Sequence, residues 1–423
     1  MYGHIEAARL FYNELDNSLT RRMNFERNTY DPCVYNKQTT SGVITIRTHV
    51  DDLKVSCKDR QEIQKVIEHF IDIYKEITVH EGDEHDYLGM IMTHDRDNGT
   101  VRINMEKYIT GIINMFLDYE PDETIKVVTT PATNNLFKIR QCEDLLLSPR
   151  RAGVFHATVA KLLFVAKRAR PDILLAVSFL TTRVKTPDMD DWHKLIRVLG
   201  YLRGTMEYCF TITCADMSKL TWYVDGSYAT HADMRGQSGA VLVTGNSAVL
   251  FRSNKQKINT RSSTKTELIA VNDVLPIIQW TTNFMKAQGY HLDTEIKEHN
   301  KSTMLLMKNG KLSSGKRTKH FDIRYFYIKD LIDRGIINLS HCISDDMLAN
   351  FFTKPIQGKR FQILRDLVLN INSATVHRSV LVNSNSTYAL PQNSPSVTQT
   401  QTIQTIHSFD LTKIERGRDR DNN

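Results

Sequence analysis

The first part of the chain alternates between helical and strand-like patterns of apolar residues. Between Glu6 and Arg22 the apolar positions recur about every 3.6 residues, which predicts a helix. The β-branched run Val43–Val50 resumes at Leu53–Val55, and the two runs predict strands of a hairpin linked by Asp51-Asp52. A second amphipathic helix is predicted at Arg60–Tyr74.

The middle of the chain has mainly helical patterns, and strand-like runs return after Leu220. One helix carries clear end signals, with Thr186 as N-cap, Pro187 in the first turn and Gly204 at its end. The other predicted elements are a hairpin of Asp86–Thr93 with Thr100–Asn104, helices at Thr158–Val165 and Pro171–Phe179, strands at Thr221–Tyr228, Gly239–Thr244 and Ser247–Arg252, a helix at Thr264–Ala287, a strand at Glu295–His299, a helix at Phe321–Arg334, a strand at Ile336–Ser340 and a helix at Asp345–Phe352.

These elements predict an α+β chain with several domains. Three antiparallel strands followed by alternating helix and strand are typical of a compact α/β domain at residues 220–370. Residues 371–423 are rich in Ser, Thr, Asn and Gln, so we expect a disordered low-complexity tail there. The N-terminal mixture of helices and hairpins predicts one domain at residues 1–130, and the helical segment occupies 131–219.

Composition is typical of a globular protein and excludes several classes. The chain has 423 residues, of which 41% are hydrophobic and 24% charged. It has no run of 18 apolar residues and no signal peptide pattern, so neither a membrane span nor secretion is indicated. Its six cysteines form no CxxC pair, which argues against a zinc site or a disulfide scaffold. A net charge of +7 is compatible with a nucleic-acid partner without requiring one.

The acidic pair Asp51-Asp52 is the first candidate site. Adjacent carboxylates held by two strands can bind a divalent cation and position a phosphoryl transfer. Acidic pairs are also common in ordinary turns, so the spacing alone leaves both interpretations open.

A second candidate pairs Asp225 with Glu267. An Asp within an apolar strand is costly unless it is paired or holds a metal ion. Glu267 lies near the start of the long helix predicted at Thr264–Ala287 and is a candidate partner for Asp225. The alternative is structural, because Thr264 and Glu267 have the spacing of a capping box. Spacing alone favours neither interpretation.

Two clusters of basic residues are candidates for contacts with a phosphate backbone, and a solvated basic loop is the alternative for both. One cluster comes before the predicted helix at Pro171, and the other comes before and within the predicted helix at Phe321–Arg334. Their members are Lys167, Arg168 and Arg170 in the first cluster and Lys316, Arg317, Lys319 and Arg324 in the second.

Taken together, residues 1 to about 370 resemble the reverse transcriptase and RNase H portion of a copia-type LTR retrotransposon Pol polyprotein. The segments that carry the resemblance are Tyr30–Tyr35, His49-Val50-Asp51-Asp52, Arg168–Ile173, Tyr201–Thr205, Ser262-Ser263-Thr264 with Glu267, Lys316–His320 and Phe352–Pro355. The resemblance implies a partial reverse-transcriptase palm at 1–130, a helical thumb or connection at 131–219 and an RNase H-like domain at 220–370. Its cofactor would be Mg²⁺ or Mn²⁺.

The resemblance also assigns roles to the acidic residues. Asp51 and Asp52 correspond to the aromatic-x-Asp-Asp pair of the palm, with His49 in the usually aromatic place. Asp225 and Glu267 correspond to the first two RNase H carboxylates. All four are therefore the expected catalytic and metal-binding residues. The family's third palm Asp lies upstream of Tyr2-Gly3, so we expect the fingers and that carboxylate to be missing here.

The remaining two RNase H positions depart from the family. His299 and Asn350 stand where the family has Asp, so each position loses a negative charge. Mg²⁺ prefers carboxylate and water oxygens, and weakened metal binding is therefore expected. Glu298 should not replace His299, because consecutive strand residues point to opposite faces. Asp346 lies one helical turn before Asn350, and its reaching the site is the less favoured alternative.

Three functions follow from the resemblance. The chain is expected to be a Pol fragment whose ancestral activity is RNA-directed DNA synthesis with RNase H cleavage, catalytically impaired in this copy. The alternatives are a non-catalytic binder of RNA–DNA hybrid and a decaying copy without a selected role. The expected partners are RNA, DNA, RNA–DNA hybrid and the remaining Pol segments, with no membrane. The resemblance places such a chain inside the cell, in cytoplasmic particles or the nucleus.

Overall fold

The computed structural model describes residues 6–140, 145–213, 217–310 and 327–371, and the backbone of 402–409. The helices in chain order are α1 (Ala7–Asn17), α2 (Arg60–Tyr74), α3 (Glu106–Tyr119), α4 (Pro149–Ala166), α5 (Leu174–Thr181), α6 (Met189–Arg203), α7 (Ser263–Ala287), α8 (Lys301–Asn309), α9 (327–333) and α10 (Gly358–Leu369). The strands are β1 (Glu26–Arg27), β2 (Val34–Thr39), β3 (Gly42–His49), β4 (Asp52–Cys57), β5 (Ile77–Glu81), β6 (Glu84–Tyr87), β7 (Met90–Asp95), β8 (Thr100–Asn104), β9 (Phe210–Thr213), β10 (Lys219–Ser227), β11 (Gln237–Thr244), β12 (Ser247–Lys255), β13 (Asp293–Glu298), β14 (Asn338–His341) and β15 (Thr402–Phe409). This mixture of helices and sheets confirms the predicted α+β composition.

The chain forms two compact units. Unit 1 contains Met1–Arg96 with Asn283–Tyr290 and Thr387–Asn423, and unit 2 contains Asp97–Thr282 with His291–Ser386. The domain boundaries at residues 130, 219 and 370 stay predictions, as does the assignment of palm, thumb and connection.

Unit 1 is built on an antiparallel sheet with the strand order β1-β2-β3-β4-β15-β5. Along β4 the residues alternate between buried and partly exposed, so Leu53, Val55 and Cys57 face the core. Helix α2 spans the predicted residues, and its N-cap is Asp59, whose side chain accepts a hydrogen bond from the backbone N–H of Gln61. Its buried face belongs to the same hydrophobic cluster as these strand residues.

Strand β15 corrects the expectation of a disordered tail. Thr402–Phe409 lies between β4 and β5 and pairs antiparallel with both. Composition did not reveal this strand, because a segment of Thr, Ile and Gln among polar residues has little apolar pattern. The segment is a strand because β4 and β5 each offer it a row of backbone hydrogen bonds. The rest of the predicted tail, residues 372–401 and 410–423, lies outside the described residues.

The predicted strand Asp86–Thr93 is two strands in the structure. Leu88 and Gly89, both with positive φ, form a tight turn that joins β6 to β7. A type I′ turn needs positive φ at both central residues, and Leu is an uncommon residue at such a position, so the turn was missed. Strand β8 has the predicted bounds.

The five-stranded sheet of unit 2 has the strand order β12-β11-β10-β13-β14. Strands β10, β11 and β12 pair antiparallel, and β10–β13 and β13–β14 pair parallel. Strand β11 is buried along nearly its whole length, which indicates that both faces of the sheet are covered. This topology confirms the three predicted antiparallel strands followed by alternating helix and strand.

Several helical predictions need correction. Helix α6 begins at Met189 and its N-cap is Asp188, which forms a reciprocal capping box with Asp191, whereas Thr186 was predicted. The predicted helix Asp345–Phe352 consists of two short 3-10 segments, Ser344–Asp346 and Leu348–Phe352. Helices α3, α8 and α10 were not predicted.

Arg170 is a structural residue in unit 2, which corrects its prediction as a nucleic-acid contact. Its side chain is 1% exposed, and its guanidinium donates to both carboxylate oxygens of Asp172 and to Thr205. The hydroxyl of Tyr201 donates to the same carboxylate at 2.7 Å. A guanidinium enclosed in this way cannot reach a phosphate backbone. Because Arg170 lies three residues from Lys167 in sequence, the two were predicted to share one basic surface, but only Lys167 is exposed.

We expect Arg170→Met to lower the free energy of unfolding by roughly 3–5 kcal/mol, because it leaves the buried Asp172 carboxylate without its counter-charge. Urea unfolding followed by tryptophan fluorescence measures this, since Trp192, Trp222 and Trp280 all lie in unit 2. The matched control Lys167→Met removes an exposed charge and should change stability by less than about 0.5 kcal/mol. Equal urea midpoints for Arg170→Met and the native chain would contradict a structural role.

Candidate functional site

The candidate site lies in unit 2, where two parallel strands end at the same edge of the sheet. Tyr223 of β10 pairs with Lys297 of β13, and this pairing brings Asp225 and His299, each two residues further along, close together. Helix α7 supplies Glu267 from its first two turns. The carboxyl ends of parallel strands lie at one edge, and this brings residues distant in sequence together.

Three of the four positions predicted for the RNase H site offer ligand atoms to one point. One ligand atom each from Asp225, Glu267 and His299 lies within 4.8 Å of the others. The imidazole lies between the two carboxylates, with Nδ1 3.6 Å from Asp225 Oδ1 and Nε2 3.5 Å from Glu267 Oε1. Both carboxylate side chains are almost completely buried, and the imidazole is 22% exposed.

Gly226 allows α7 to approach β10 closely. Its backbone N–H donates to Glu267 Oε2 at 2.6 Å, and a Cβ atom at this position would lie 2.7 Å from the carbonyl oxygen of Thr266. Glu267 therefore points toward β10 and forms no capping box with Thr264. The N-terminal capping bond instead comes from Ser262, whose Oγ accepts from the N–H of Lys265 at 3.4 Å.

Lys354 connects the fourth predicted position to the others. Its ammonium group lies 3.5 Å from both carboxylate oxygens of Asp225, and it donates to Oδ1 of Asn350. Asn350 in turn donates from Nδ2 to the carbonyl oxygen of Ser344 at 3.0 Å. The hydroxyl of Thr353 also donates to Asp225. Asn350 therefore lies beside the site through a lysine, and an amino group is close to the first carboxylate.

Glu298 belongs to the site, contrary to the sequence-based expectation. Its side chain is completely buried, Oε1 accepts from the N–H of Asn300 at 2.8 Å, and the same oxygen lies 3.7 Å from Nδ1 of His299. Oε2 of Glu298 has no hydrogen-bond partner. The alternation argument failed because β13 ends at Glu298, so His299 no longer follows the pleat of the strand.

Burial controls the protonation of these groups. Burial raises the pKa of Glu298 to about 8, with a smaller contribution from the Asp225 charge, against the lowering effect of the Asn300 N–H. Burial also raises the pKa of Glu267 well above its ordinary value, and the negative charges of Asp225 and Glu298 add smaller increases. Burial lowers the pKa of His299, and Asp225 only partly offsets it, so a neutral imidazole is favoured at neutral pH.

This donor set does not fit two Mg²⁺ ions held by four carboxylates. Mg²⁺ favours oxygen ligands, yet the site presents an imidazole at 299, an amide at 350 and an ammonium group at Asp225. Two of the expected negative charges are absent, and Lys354 adds a positive one.

Sequence reasoning missed Lys354 and Thr353 as site residues. Both follow Asn350 within one helical turn, and that spacing was a signal that could have placed them near it. Asp346, the less favoured rescue of position 350, is not one of the described residues whose ligand atoms converge.

The acidic pair of unit 1 lies at a hairpin, as predicted, with a small change in register. His49 pairs with Asp52, so the two-residue turn consists of Val50 and Asp51 while Asp52 begins β4. Val50 has φ 55°, as one of these turn positions requires. Within the described ranges, no third His, Cys, Asp or Glu joins the pair to form a metal cluster. Its role stays a prediction.

The predicted basic contacts have mixed outcomes. Lys167 is exposed, and the Arg168 guanidinium lies 3.6 Å from the centre of the Phe164 ring. Lys316, Arg317, Lys319 and Arg324 lie outside the described residues, so their contacts stay predictions.

No family model matches the chain, but several known proteins are similar to it over most of its length. It is 26% identical over 375 residues to the retrovirus-related Pol polyprotein from transposon TNT 1-94 of Nicotiana tabacum, covering 87% of this chain and 27% of that protein. A Pol polyprotein from transposon RE2 of Arabidopsis thaliana is 26% identical over 371 residues, covering 86% and 24%. A transposon Ty5-1 protein of Saccharomyces cerevisiae is 26% identical over 279 residues, covering 65% and 86%.

Over about 86% of its length the chain is therefore similar to retrovirus-related Pol polyproteins of copia-type transposons. It spans about a quarter of the length of the Pol polyproteins from TNT 1-94 and RE2. Among solved structures, RNase H1 of Halobacterium salinarum covers 32% of this chain and 94% of its own, with 16% identity and a TM-score of 0.24. No helix in the described ranges is long and apolar enough to cross a membrane.

The raised pKa of Glu298 predicts a specific dependence of stability on pH. In the folded chain this carboxyl keeps its proton up to about pH 8, whereas an unfolded chain loses it near pH ~4.3. Protonation therefore favours the folded state, and between these values stability falls as pH rises, by up to about 1.4 kcal/mol per unit. We expect a shallower fall in Glu298→Gln, measured by urea unfolding in EDTA from pH 5 to 8.

The control for this experiment is Glu295→Gln on the same strand. Burial alone would raise the pKa of Glu295, but its ion pair with Lys219 and the nearby Lys297 charge hold that pKa below the usual value. The ionised Glu295 carboxylate therefore stabilises the fold above the usual pKa of a glutamate, and this stabilisation is lost only as the pH falls through its lowered pKa. Glu295→Gln should leave the decline between pH 5 and 8 unchanged, and identical slopes for all three proteins would refute the assignment to Glu298.

Proposed function

We propose that this chain is a reverse transcriptase and RNase H fragment of a copia-type Pol polyprotein whose RNase H-like site binds RNA–DNA hybrid but is impaired in Mg²⁺-dependent cleavage. The observation that carries the proposal is the convergence of Asp225, Glu267 and His299 beside Asn350 and Lys354. In the family that the chain resembles, positions 225, 267, 299 and 350 are all carboxylates.

The electrostatics of the site support impaired cleavage. Phosphoryl chemistry with two metal ions requires negative charge to hold the cations against their mutual repulsion. Here a neutral imidazole and a neutral amide stand at two of the four positions, and the amino group of Lys354 lies beside Asp225. The amino group contacts the carboxylate that corresponds to the first metal ligand, so it competes with a cation there.

The acidic hairpin of unit 1 supports the polymerase part of the same proposal. Asp51 and Asp52 lie where two antiparallel strands meet, between α1 and α2, which is the order that a palm requires. They would be the carboxylates that correspond to the palm pair. The domains at 1–130, 131–219 and 220–370 would be palm, thumb or connection, and RNase H.

Restoring the two carboxylates should restore cleavage. We expect His299→Asp with Asn350→Asp to cut the RNA strand of a labelled RNA–DNA hybrid in Mg²⁺ roughly 10³–10⁶ times faster than the native chain, because each restored charge is worth on the order of 2–4 kcal/mol in the transition state. Single-turnover cleavage with purified full-length chains measures the rates.

Asp225→Asn in the restored chain is the control and should abolish the gained activity, which excludes a contaminating nuclease. Cleavage by the native chain at the rate of the restored chain would overturn impairment. Hybrid binding by all three chains in EDTA would show that any difference lies in cleavage.

The basic segment at 316–324 is proposed to contact the hybrid backbone. Each phosphate contact that releases a counterion contributes about 0.7–0.9 to the salt dependence of the binding constant. We therefore expect a shallower slope, in a plot of log binding constant against log salt, when four residues are replaced by Gln. These residues are Lys316, Arg317, Lys319 and Arg324.

A charge-matched variant controls for net charge. It replaces four exposed lysines, Lys58, Lys65, Lys75 and Lys107, by Gln. Fluorescence anisotropy with a labelled hybrid between 50 and 300 mM salt should give the native slope for this variant. Equal slopes in both variants would mean that 316–324 makes no backbone contact of its own.

A further inference from the structure

We infer that Asp225, Glu267 and His299 form a site for one divalent first-row transition ion, with Zn²⁺ and Co²⁺ bound in preference to Mg²⁺. This inference deepens the proposed function of the same site. It is tested without nucleic acid, so that it and the proposed function can fail separately.

The first observation is the type and spacing of the ligands. Two carboxylate oxygens and one ring nitrogen lie within 4.8 Å of one another. The two ring nitrogens face different carboxylates, with Nε2 3.5 Å from Glu267 and Nδ1 3.6 Å from Asp225. Ligands of a tetrahedral Zn²⁺, bound at about 2.0–2.2 Å, lie roughly 3–4 Å apart, so small side-chain movements would complete the site. Two carboxylates and one imidazole are ligands that Zn²⁺ and Co²⁺ accept readily, whereas Mg²⁺ rarely takes nitrogen.

The second observation is independent of the ligand atoms. Glu298 is fully buried beside the imidazole, and its Oε2 has no hydrogen-bond partner. Nδ1 of His299 is likewise buried without a partner. A histidine that ligates a metal through one ring nitrogen commonly donates the other to a carboxylate. With Nε2 directed at the ion beside Glu267, Nδ1–H would face Glu298, whose Oε1 lies 3.7 Å away, and the buried nitrogen would gain a carboxylate partner.

The third observation is the balance of charge. Three buried carboxylates, Asp225, Glu267 and Glu298, lie around one imidazole, and the ammonium of Lys354 contacts the first of them. The lysine side chain is 45% exposed, so it can turn away into solvent. A divalent ion would replace this single charge with two and would sit where the carboxylates converge. Lys354 is therefore a competitor of the ion.

Titration of the metal-free, full-length chain with Co²⁺, followed by visible absorption, tests the inference directly. We expect a d–d spectrum of low symmetry without thiolate charge transfer, and an affinity for Co²⁺ roughly 100-fold above that for Mg²⁺, measured by competition. His299→Ala should lower the Co²⁺ affinity by about 10- to 100-fold. His299→Asp should reduce the preference for Co²⁺ over Mg²⁺, because it replaces nitrogen by oxygen.

Two lysine variants separate competition from non-specific charge effects. Lys354→Met should tighten Co²⁺ binding by several-fold, and the matched control Lys359→Met, at an exposed position, should not. Equal affinities for Co²⁺ and Mg²⁺, or Co²⁺ binding that is unchanged in His299→Ala, would overturn the inference. Circular dichroism of each variant checks that it is folded, and a native spectrum makes any loss of binding attributable to the site.

Discussion

The parallel pairing of β10 with β13 positions the chemistry of unit 2. It brings Asp225 close to His299, although more than 70 residues separate them in sequence, and Glu267 of α7 lies beside both. The close approach at Gly226 then fixes Glu267 against β10 through a backbone N–H. The resulting group of buried acids is electrostatically costly, and the raised pKa values of Glu267 and Glu298 are the direct expression of that cost. Lys354 and the protons held by these acids offset the negative charge.

The elements with a strong local signal could be predicted from the sequence, and those that depend on distant partners could not. Helix α2 and strand β8 have the predicted bounds because apolar period and turn residues agree there. Strand β15 has no such signal, since its strand character comes from pairing with β4 and β5. Arg170 was misassigned for a similar reason, because only the fold reveals that Asp172, Tyr201 and Thr205 enclose its guanidinium.

For the candidate site, the residue pattern identified Asp225 and Glu267, the family resemblance added His299 and Asn350, and the structure brings the first three together around one point. Spacing could not decide between a capping box and a site ligand for Glu267, because either role places a glutamate in the first turns of a helix. The hydrogen bond from the Gly226 N–H decides it, since it turns the carboxylate toward β10. Glu298 was excluded by strand alternation, a rule that holds only while the strand continues. Lys354 was missed although its spacing from Asn350 places the two close together, because spacing does not reveal that its ammonium group reaches Asp225.

Strand β15 has a consequence for how unit 1 forms during synthesis. The sheet is continuous only when Thr402–Phe409, near the far end of the chain, lies between β4 and β5. Until that segment leaves the ribosome, the nascent N-terminal sheet presents two open edges whose backbone groups can pair with other strands. A chain truncated before residue 402 would therefore keep unpaired edges on β4 and β5. We expect such a product to aggregate, although it contains all the described hydrophobic core residues of unit 1.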